Sequence, residues 1–293
     1  MQIVTDSGTD TQLNSVEREN LAIHVVPLVV TLDGETYREG VDIDTDTFYD
    51  LLAATDALPT TSQPSAGTFA ELYRELAQKD REILSIHISS GLSGTVSSAQ
   101  TAASMVPEAD VTVVDTKTLS AASGWQVLAA ARAAHAGWGK EEILALLQRI
   151  GDASDSLYTL RELKYLIHGG RISHMKGLLA SLLNIKPMIG VEKEGGTYEQ
   201  KGQARAFKGA VRGLVALMER QHAPGSPLRV QVLHSNDPEA AEMLRSEVDA
   251  RFACDWLPVG PMSLVLGAHT GPGMVGVAYA PTGVFEEVPQ VSA

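Results

Sequence analysis

Apolar runs typical of buried strands recur through the first half of the chain, and segments with helically spaced apolar residues separate them. The strand-type runs cover residues 3–5, 23–32, 83–89 and 111–116. Pro27 interrupts the second run, which is predicted as an edge or bent strand, and Asp33-Gly34 after it predicts a hairpin turn. Strands that alternate with helices in this way favour a mostly parallel sheet, with a ligand crevice at the carboxyl ends of the strands. Residues 1–152 are therefore predicted to form a Rossmann-like α/β domain.

Polar turns follow several of these runs, and the predicted topology brings them to the same edge of the sheet. Three of them are Asp6-Ser7, residues 90–95 and Asp115-Thr116. The hydroxyl-rich loop 59–65, whose Ser65 is placed to cap a helix over residues 66–80, is a fourth candidate for this edge. The first half is thus predicted to present a polar crevice.

The second half of the 293-residue chain mixes hairpins with helices. Glu194-Gly195-Gly196 predicts a hairpin turn. The predicted helices cover residues 160–168, 178–184, 204–220 and 238–251. This mixture indicates an α+β domain over residues 153–293, with an approximate boundary near residues 151–155 and last strands that can exchange between the domains.

One loop of the first half combines two glycines with a cluster of hydroxyls. Residues 87–103 read HISSGLSGTVSSAQTAA, which predicts a strand, a Gly/Ser loop and the start of a helix. The free N–H groups and the positive dipole end of such a helix, together with the Ser93 hydroxyl, favour an anion such as a phosphate or a carboxylate. The alternative is that these hydroxyls are ordinary helix caps.

Composition and charge narrow the class of protein. The net charge of −13 argues against nucleic acid as a partner. No stretch reaches the ~18 apolar residues of a membrane span, and the N-terminal residues do not resemble a signal segment. The single Cys254 excludes an internal disulfide. These features predict a cytoplasmic protein.

The charge is unevenly distributed. Residues 161–212 hold ten Lys and Arg against four Asp and Glu, whereas the rest of the chain holds thirteen against thirty-two. Arg205, Lys208 and Arg212 would share one side of the helix predicted over residues 204–220, opposite an apolar side. This basic side is either a docking surface for a partner or a solvated face.

Seven stretches, in the expected order, resemble the motifs of the DegV-domain family, and in particular its FakB type, which binds fatty acids and serves a bacterial fatty-acid kinase. They are IVTDS at Ile3, TTSQPSAGTF at Thr60, HISSGLSGT at His87, VVDT at Val113, YLIHGGRIS at Tyr165, LLNIKP at Leu182 and GAHTGPG at Gly267. The chain departs from the family after Ser7, around residues 121–124, and in a thinner basic stretch at residues 201–208.

The resemblance implies a lipid-binding protein rather than an enzyme, with a long-chain fatty acid as its ligand and no metal or cofactor. The carboxylate would be held by Thr61, Ser62, Ser93, Gly94 and His269. The tail would be buried between the two domains, where residues 178–189 offer Leu, Ile and Met.

The resemblance also implies a partner, an ATP-dependent kinase that phosphorylates the bound fatty acid to an acyl phosphate. The sequence has no GxxxxGK[ST] motif, so ATP would be handled by that partner. Arg171, His269, Arg205 and Lys208 are the candidates for contact with the kinase or for assistance in phosphoryl transfer. Transient contact with a membrane surface is compatible with this role.

Arg171 and His269 also have ordinary interpretations. Arg171 follows two glycines and could pair with a surface acid, although a guanidinium also suits a carboxylate or a phosphate. His269 is predicted to lie in a Gly-rich turn, where a solvated or capping histidine is common. Whether the two residues belong to the pocket or to the partner surface is left open by the sequence.

A serine acyl hydrolase is the alternative function. Ser93, Asp115 and His269 follow the chain order of the Ser-Asp-His triad in α/β-hydrolases, and Gly91-Leu92-Ser93-Gly94 approaches their nucleophile motif. The motif GxSxG is incomplete, however, because Thr95 stands where the second glycine is needed. A sensor of a sugar phosphate or an amino-acid phosphate would use the same loop but would leave the apolar second half unexplained.

Overall fold

The computed structural model describes residues 1–174 and 185–290. In the first half, the described strands and helices are β1 (Gln2–Asp6), α1 (Ser15–Asn20), β2 (Ile23–Val26), β3 (Val29–Leu32), β4 (Glu35–Arg38), α2 (Thr45–Ala53), β5 (Thr60–Ser62), α3 (Ala66–Ala77), β6 (Glu82–His87), α4 (Thr95–Ser104), β7 (Asp110–Asp115), α5 (Ser120–His135) and α6 (Lys140–Ala153).

The second half is described from β8 onward. Its strands and helices are β8 (Asp155–Thr159), α7 (Lys164–His168), β9 (Lys186–Val191), β10 (Tyr198–Ala204), α8 (Phe207–Met218), β11 (Pro227–His234), α9 (Pro238–Asp249), β12 (Ala253–Trp256), β13 (Gly260–Pro261), α10 (Leu264–Thr270) and β14 (Val275–Pro281). The helix predicted over residues 178–184 lies outside the described residues.

The first half contains the predicted parallel sheet, with the strand order β2-β1-β6-β7. Helices pack against the apolar side chains of this sheet, as the alternation of the sequence predicts. Because β1, β6 and β7 are neighbours, the polar turns that follow them meet at one edge of the sheet. The predicted α/β class and its parallel sheet are confirmed.

Residues 23–32, predicted as a single edge or bent strand, form two strands, of which β2 lies at the edge of the parallel sheet. Pro27 separates β2, which joins the parallel sheet, from β3, which joins a small antiparallel sheet of order β4-β3-β5. The predicted hairpin turn at Asp33-Gly34 is confirmed, and both residues have the positive φ that such a turn requires. Residues 60–62, predicted as part of a loop, form β5 in this small sheet.

The second half forms a mixed sheet along the path β10-β9-β8-β14-β11-β12, and β13 pairs with β11. Most neighbours are antiparallel, as expected for an α+β arrangement. Strand β8 begins just after α6 and was not predicted. The predicted boundary near residues 151–155 coincides with the end of α6 and the start of β8; the division into domains 1–152 and 153–293 stays a prediction.

One hydrophobic core extends through both halves. It includes Ile3 and Ile86 of the parallel sheet, Trp125 of α5, and Ile189 of the mixed sheet. Helix α5 is buried at twelve of its sixteen positions, and its many alanines allow neighbours to approach closely. The indole N–H of Trp125 donates to the Gln231 side chain at 2.9 Å, which joins α5 to β11.

Two details of the predicted helices are corrected. Helix α8 begins at Phe207, so Arg205 precedes the helix and does not share its face with Lys208 and Arg212. His269 lies in the last turn of α10 rather than in a Gly-rich turn. Gly271, with a φ of 70°, ends that helix.

Among the described residues, no helix combines the length and the apolar character needed to cross a membrane.

Candidate functional site

A buried chain of hydrogen bonds fixes the turns after β1 and β6. One carboxylate oxygen of Asp6 lies 2.9 Å from His87 Nδ1 and accepts from the Ile88 N–H at 3.1 Å. On the other side of the ring, His87 Nε2 lies 2.7 Å from Ser85 Oγ, which in turn lies 2.7 Å from the Tyr73 hydroxyl. These polar side chains are fully buried and partnered, so they hold the following Gly/Ser loop in place.

Ser93 of this loop combines a local bond with a position at a cavity. Its hydroxyl lies 2.8 Å from Thr95 Oγ1 and accepts weakly from the Thr95 N–H at 3.3 Å. The N-cap of α4 is Gly94, which has no capping side chain. A Cβ at position 94 would lie 2.8 Å from the Gln63 side-chain nitrogen, so a glycine allows Gln63 to pack against the loop.

A cavity of about 30 Å³, which we call the His269 cavity, brings together five of the predicted site residues. The polar side chains around it belong to Thr61, Ser62, Gln63, Ser93, Arg171 and His269. The apolar side chains belong to Leu28, Ile88, Leu92, Leu119, Val265 and Leu266, and Tyr198 completes the lining. Residues from both halves of the chain therefore line the cavity, and its polar groups come from β5, the Gly/Ser loop, α10 and the turn after α7.

His269 is buried, with 7% of its surface exposed, and is held from one side only. Its Nε2 lies 2.7 Å from Thr61 Oγ1, whereas its Nδ1 has no hydrogen-bond partner among the described residues. Burial lowers the pKa of the imidazole to about 4, and the nearby Arg171 and His168 act in the same direction. The ring is therefore neutral near pH 7.

Arg171 brings a positive charge to the same cavity. Its side chain donates to the carbonyl of Gly169 at 2.6 Å and to that of Leu92 at 3.3 Å. Within the described part of the chain, the guanidinium forms no ion pair with a carboxylate, so the surface-acid interpretation of Arg171 is not supported. The two carbonyls fix its direction and leave its charge available for an anion.

A second cavity of about 10 Å³, which we call the apolar cavity, adjoins the first. Leu119 and Tyr198 line both cavities. The remaining residues of the apolar cavity are Tyr158, Leu160, Leu166, Ile189, Met262 and Thr270. A polar compartment is thus followed by an apolar one, and Leu119 and Tyr198 stand where they meet.

Several of these residues were missed from the sequence. Gln63 lies within the TTSQPSAGTF stretch, directly after Thr61 and Ser62, and this position is the sequence signal that identifies it. Leu119 and Tyr198 gave none, because an isolated apolar residue does not reveal which distant segment it will contact. Of the predicted tail-lining stretch 178–189, Ile189 lines the apolar cavity, and residues 178–184 are outside the described residues.

The other predicted site residues do not line the His269 cavity. Gly94 packs against Gln63 without lining the cavity. Arg205 and Lys208 are exposed. Arg205 follows β10, and Tyr198 at the other end of that strand lines the cavity. At about 3.3 Å per residue, Arg205 lies roughly 20 Å from Tyr198 along the strand.

The residues of the alternative hydrolase triad do not form the required chain of hydrogen bonds. Ser93 Oγ is bonded to Thr95, and His269 Nε2 faces Thr61. Asp115 accepts from the Ser90 side chain at 2.5 Å and pairs with Lys117 at 3.0 Å, so it does not orient His269. This arrangement does not support nucleophilic catalysis by Ser93.

The described residues do not form a recognisable metal-binding site. Residues 1–174 and 185–290 contain no group of three or more His, Cys, Asp or Glu side chains placed to hold a metal ion. The polar groups of the His269 cavity are hydroxyls, an amide, a neutral imidazole and a guanidinium. Such a set suits recognition of an anionic oxygen group.

Known proteins resemble this chain over nearly its whole length. A DegV domain-containing protein from Deinococcus radiodurans is 35% identical over 282 residues, which cover 95% of each chain. Protein DegV from Bacillus subtilis is 33% identical, and the match covers 94% of this chain and 98% of that protein.

Solved structures of such proteins share the fold. A DegV family protein from Thermus thermophilus, described for its fatty-acid binding, has 35% sequence identity and a TM-score of 0.86, covering 96% of this chain and 99% of its own. The Bacillus subtilis protein DegV, described as a fatty acid binding protein, has 32% identity and a TM-score of 0.85, covering 95% and 98%.

A sequence model described as "Uncharacterised protein, DegV family" matches residues 1–282. Together with relatives above 30% identity over almost the full length, this match confirms the resemblance drawn from the seven motifs. The chain belongs to the DegV family.

Proposed function

We propose that this protein binds one long-chain fatty acid, with the carboxylate in the His269 cavity and the tail in the apolar cavity. The observation that carries the proposal is the contact between a polar and an apolar compartment through Leu119 and Tyr198. This sequence of surfaces matches a ligand with one charged end and a long hydrocarbon chain. Fatty-acid binding by the Thermus thermophilus and Bacillus subtilis relatives supports the same ligand class.

The carboxylate needs several donors, because an unpaired charge in a dry site costs several kcal/mol. The hydroxyls of Thr61, Ser62 and Ser93 would donate to it, and the N–H groups at the start of α4 near Gly94 would add to the positive potential. Arg171 would supply a full positive charge and His269 a neutral polar contact. We thus assign Arg171 to the fatty-acid pocket rather than to the partner surface.

The tail contributes most of the binding free energy. Each buried methylene is worth roughly 0.8 kcal/mol, so a long chain supplies many kcal/mol if it is fully enclosed. Cavities of about 30 and 10 Å³ are far smaller than such a chain. Binding therefore requires the two compartments to join and widen, and the side chains of Leu119 and Tyr198 are the ones that must move first.

The second part of the proposal is that the bound fatty acid is presented to an ATP-dependent kinase. The kinase would transfer the γ-phosphoryl group of ATP to a carboxylate oxygen, which yields an acyl phosphate and ADP. Arg171 and His269 adjoin that oxygen and would offset charge during transfer. Arg205 and Lys208, exposed and remote from the cavity, would contact the kinase itself.

Native mass spectrometry of the full chain tests the lipid-binding part. Delipidated protein mixed with palmitate is expected to form a one-to-one complex, and methyl palmitate, which lacks the charged end, is expected to bind more weakly. Equal binding of the acid and its methyl ester would contradict a carboxylate site, and no binding of either would refute the proposal. Trapping the acyl phosphate with hydroxylamine, in a mixture with kinase and ATP, tests presentation.

A further inference from the structure

The start of helix α10 is held by a residue from the first half of the chain. Ser263 precedes the helix, but its side chain makes no capping hydrogen bond. Glu39, which follows β4, supplies the acceptors instead. One of its carboxylate oxygens accepts from the Leu264 N–H, and the other accepts from the Ser263 hydroxyl at 2.8 Å. A carboxylate is favoured at this place because the first N–H groups of a helix have no partner within it and carry a partial positive charge.

Asp10 holds the same serine from a second direction. The Ser263 N–H donates to one Asp10 oxygen at 2.8 Å, and the Ser120 hydroxyl donates to the other at 2.6 Å. Ser120 begins α5, and Leu119 directly before it lines both the His269 cavity and the apolar cavity. Asp10 therefore connects the start of α10 to the residue that stands where the two cavities meet.

The small sheet β4-β3-β5 also holds the other end of α10. Leu264 and Ala268 pack in one apolar cluster with Val30 of β3. The imidazole of His269, the next residue of the helix, lies 2.7 Å from the Thr61 hydroxyl of β5. The segment after β4 thus holds the start of α10, and β5 holds its last turn.

This geometry lets a change at the start of α10 reach the imidazole. His269 lies about 7.5 Å from Leu264 along the helix, at about 1.5 Å per residue. Its contact with Thr61 is 2.7 Å long, and such a hydrogen bond is lost by about 3.6 Å. A displacement of α10 by roughly 1 Å is therefore enough to break it.

Neither carboxylate lies where a charge is favoured. Burial raises the pKa of Glu39 to about 7, and it raises the pKa of Asp10 well above its ordinary value. The charge of nearby Asp6 acts in the same direction on both groups. Carboxylates kept in places that disfavour their charged form are more common at functional sites than elsewhere, which is consistent with a role beyond overall stability.

We propose that Glu39 is a positioning residue of the fatty-acid site, an inference that rests on the function proposed above. By holding the start of α10, Glu39 places the His269 imidazole against Thr61. Asp10 supports this position through Ser263. Neither carboxylate lines the His269 cavity, so each acts through α10 rather than by contact with the ligand.

An NMR spectrum that correlates the ring protons and ring nitrogens of the histidines tests the proposal on the labelled, ligand-free full chain. The His269 signals report the tautomer and the hydrogen bond of its ring, and they are identified by their absence from His269→Gln. Glu39→Ala is expected to shift these signals and to weaken palmitate binding about threefold to tenfold, as for one lost hydrogen bond. Glu39→Gln, whose amide oxygen still accepts from the Leu264 N–H, should restore both.

Tyr279→Phe is the control for a general loss of stability. It removes a hydroxyl that donates to Gln221 at 2.7 Å, in the apolar cluster between α8, α9 and the mixed sheet. This variant should unfold at a lower urea concentration but keep the His269 signals and the palmitate affinity of the unmodified protein. A cavity of about 510 Å³ lies against Glu39, so water can replace the carboxylate in Glu39→Ala, and the variant is expected to fold.

Ser263→Ala, which removes one of the two donors to Glu39, keeps the test valid if Glu39→Ala fails to fold, and it should shift the His269 signals by a smaller amount. The proposal is overturned if neither variant shifts these signals, if Glu39→Gln shifts them as much as Glu39→Ala, or if Tyr279→Phe shifts them equally. Shifted signals with unchanged palmitate affinity would also overturn it. If the unmodified protein binds no palmitate, the proposed function fails, and the imidazole signals still decide whether Glu39 positions His269.

Discussion

Gly169 and His269 are packed so closely that a Cβ at position 169 would overlap the imidazole Nδ1. The absence of a side chain at this position lets α10 bring His269 against the turn that carries Arg171. The same imidazole reaches Thr61 through its other nitrogen. A glycine thus determines the position of a polar residue about one hundred residues later in the chain.

Gly169→Ala is expected to displace the imidazole, break its bond to Thr61 and weaken palmitate binding by tenfold or more, while the fold is retained. Calorimetric titration of delipidated protein measures the effect. Gly139→Ala, where the added Cβ meets only ordinary contacts, is the control and should bind palmitate normally. An unchanged affinity in Gly169→Ala would mean that His269 has no part in binding.

Arg171→Gln is expected to weaken palmitate binding by about 1.5–3 kcal/mol, because a hydrogen bond to a charged group is lost. The same substitution at exposed Arg205 should leave the affinity unchanged. If Arg171→Gln binds palmitate normally but no longer supports acyl-phosphate formation with the kinase, Arg171 belongs to the phosphoryl-transfer step rather than to the pocket.

Ser93→Ala is expected to cost about 1.5–3 kcal/mol of fatty-acid affinity if its hydroxyl donates to the carboxylate. Ser97→Ala, on the exposed side of α4, is the matched control. Competition with a fluorescent fatty acid gives both values. A loss of thermal stability with normal affinity would show instead that the Ser93 hydroxyl only supports the start of α4 through Thr95.

The pH dependence of stability provides a test of His269. Its pKa is about 4 in the folded chain and about 6.5 when unfolded, so the unfolded chain takes up a proton first as the pH falls. The stabilisation that depends on the neutral ring is present above pH 6.5 and decreases, by up to about 3 kcal/mol, as the pH falls towards 4. His269→Gln should lack this decrease in urea-unfolding measurements.

The quantity to compare is the difference in unfolding free energy between His269→Gln and the unmodified protein at each pH. This difference is needed because burial raises the pKa of Glu39 to about 7. That carboxyl binds its proton more readily when folded and therefore has the opposite effect on stability between pH 7 and 4.5. Its contribution is the same in both proteins and cancels. Equal pH profiles for the two proteins would contradict the low pKa of His269.

Charge reversal at Arg205 and Lys208 is expected to slow association with the kinase, most strongly at low ionic strength, and to leave palmitate affinity unchanged. Stopped-flow or surface-based binding at several salt concentrations measures the rate. Lys79→Glu, at an exposed site outside the basic stretch 161–212, is the control. Rates that respond neither to the substitutions nor to salt would identify the basic residues as a solvated surface.

Local patterns predicted much of the first half. The alternation of strands and helices gave the parallel sheet, the Asp33-Gly34 pair gave a hairpin, and Ser65 was recognised as a cap, which its bond to the Thr68 N–H confirms. Each of these depends on residues close together in sequence. The seven motifs then added five residues that meet at the His269 cavity.

Long-range packing accounts for what was missed. Residues 204–206 follow a helix-like pattern, but Ala204 pairs with Lys186 in β10 and β9, so sheet formation delays the helix until Phe207. Gly267 resembles a turn signal in the sequence but lies inside α10. A glycine is needed there because the Tyr49 hydroxyl occupies the space that a side chain would need.

The strand order of the mixed sheet has a consequence for synthesis on the ribosome. β14 is the last strand among the described residues, yet it lies between β8 and β11 and pairs with both. The C-terminal sheet cannot close until residues 275–281 have left the exit tunnel. Helix α5 also packs against β14. The nascent N-terminal part therefore leaves this side of α5 exposed until β14 has been synthesised, so folding of the N-terminal part depends on that strand.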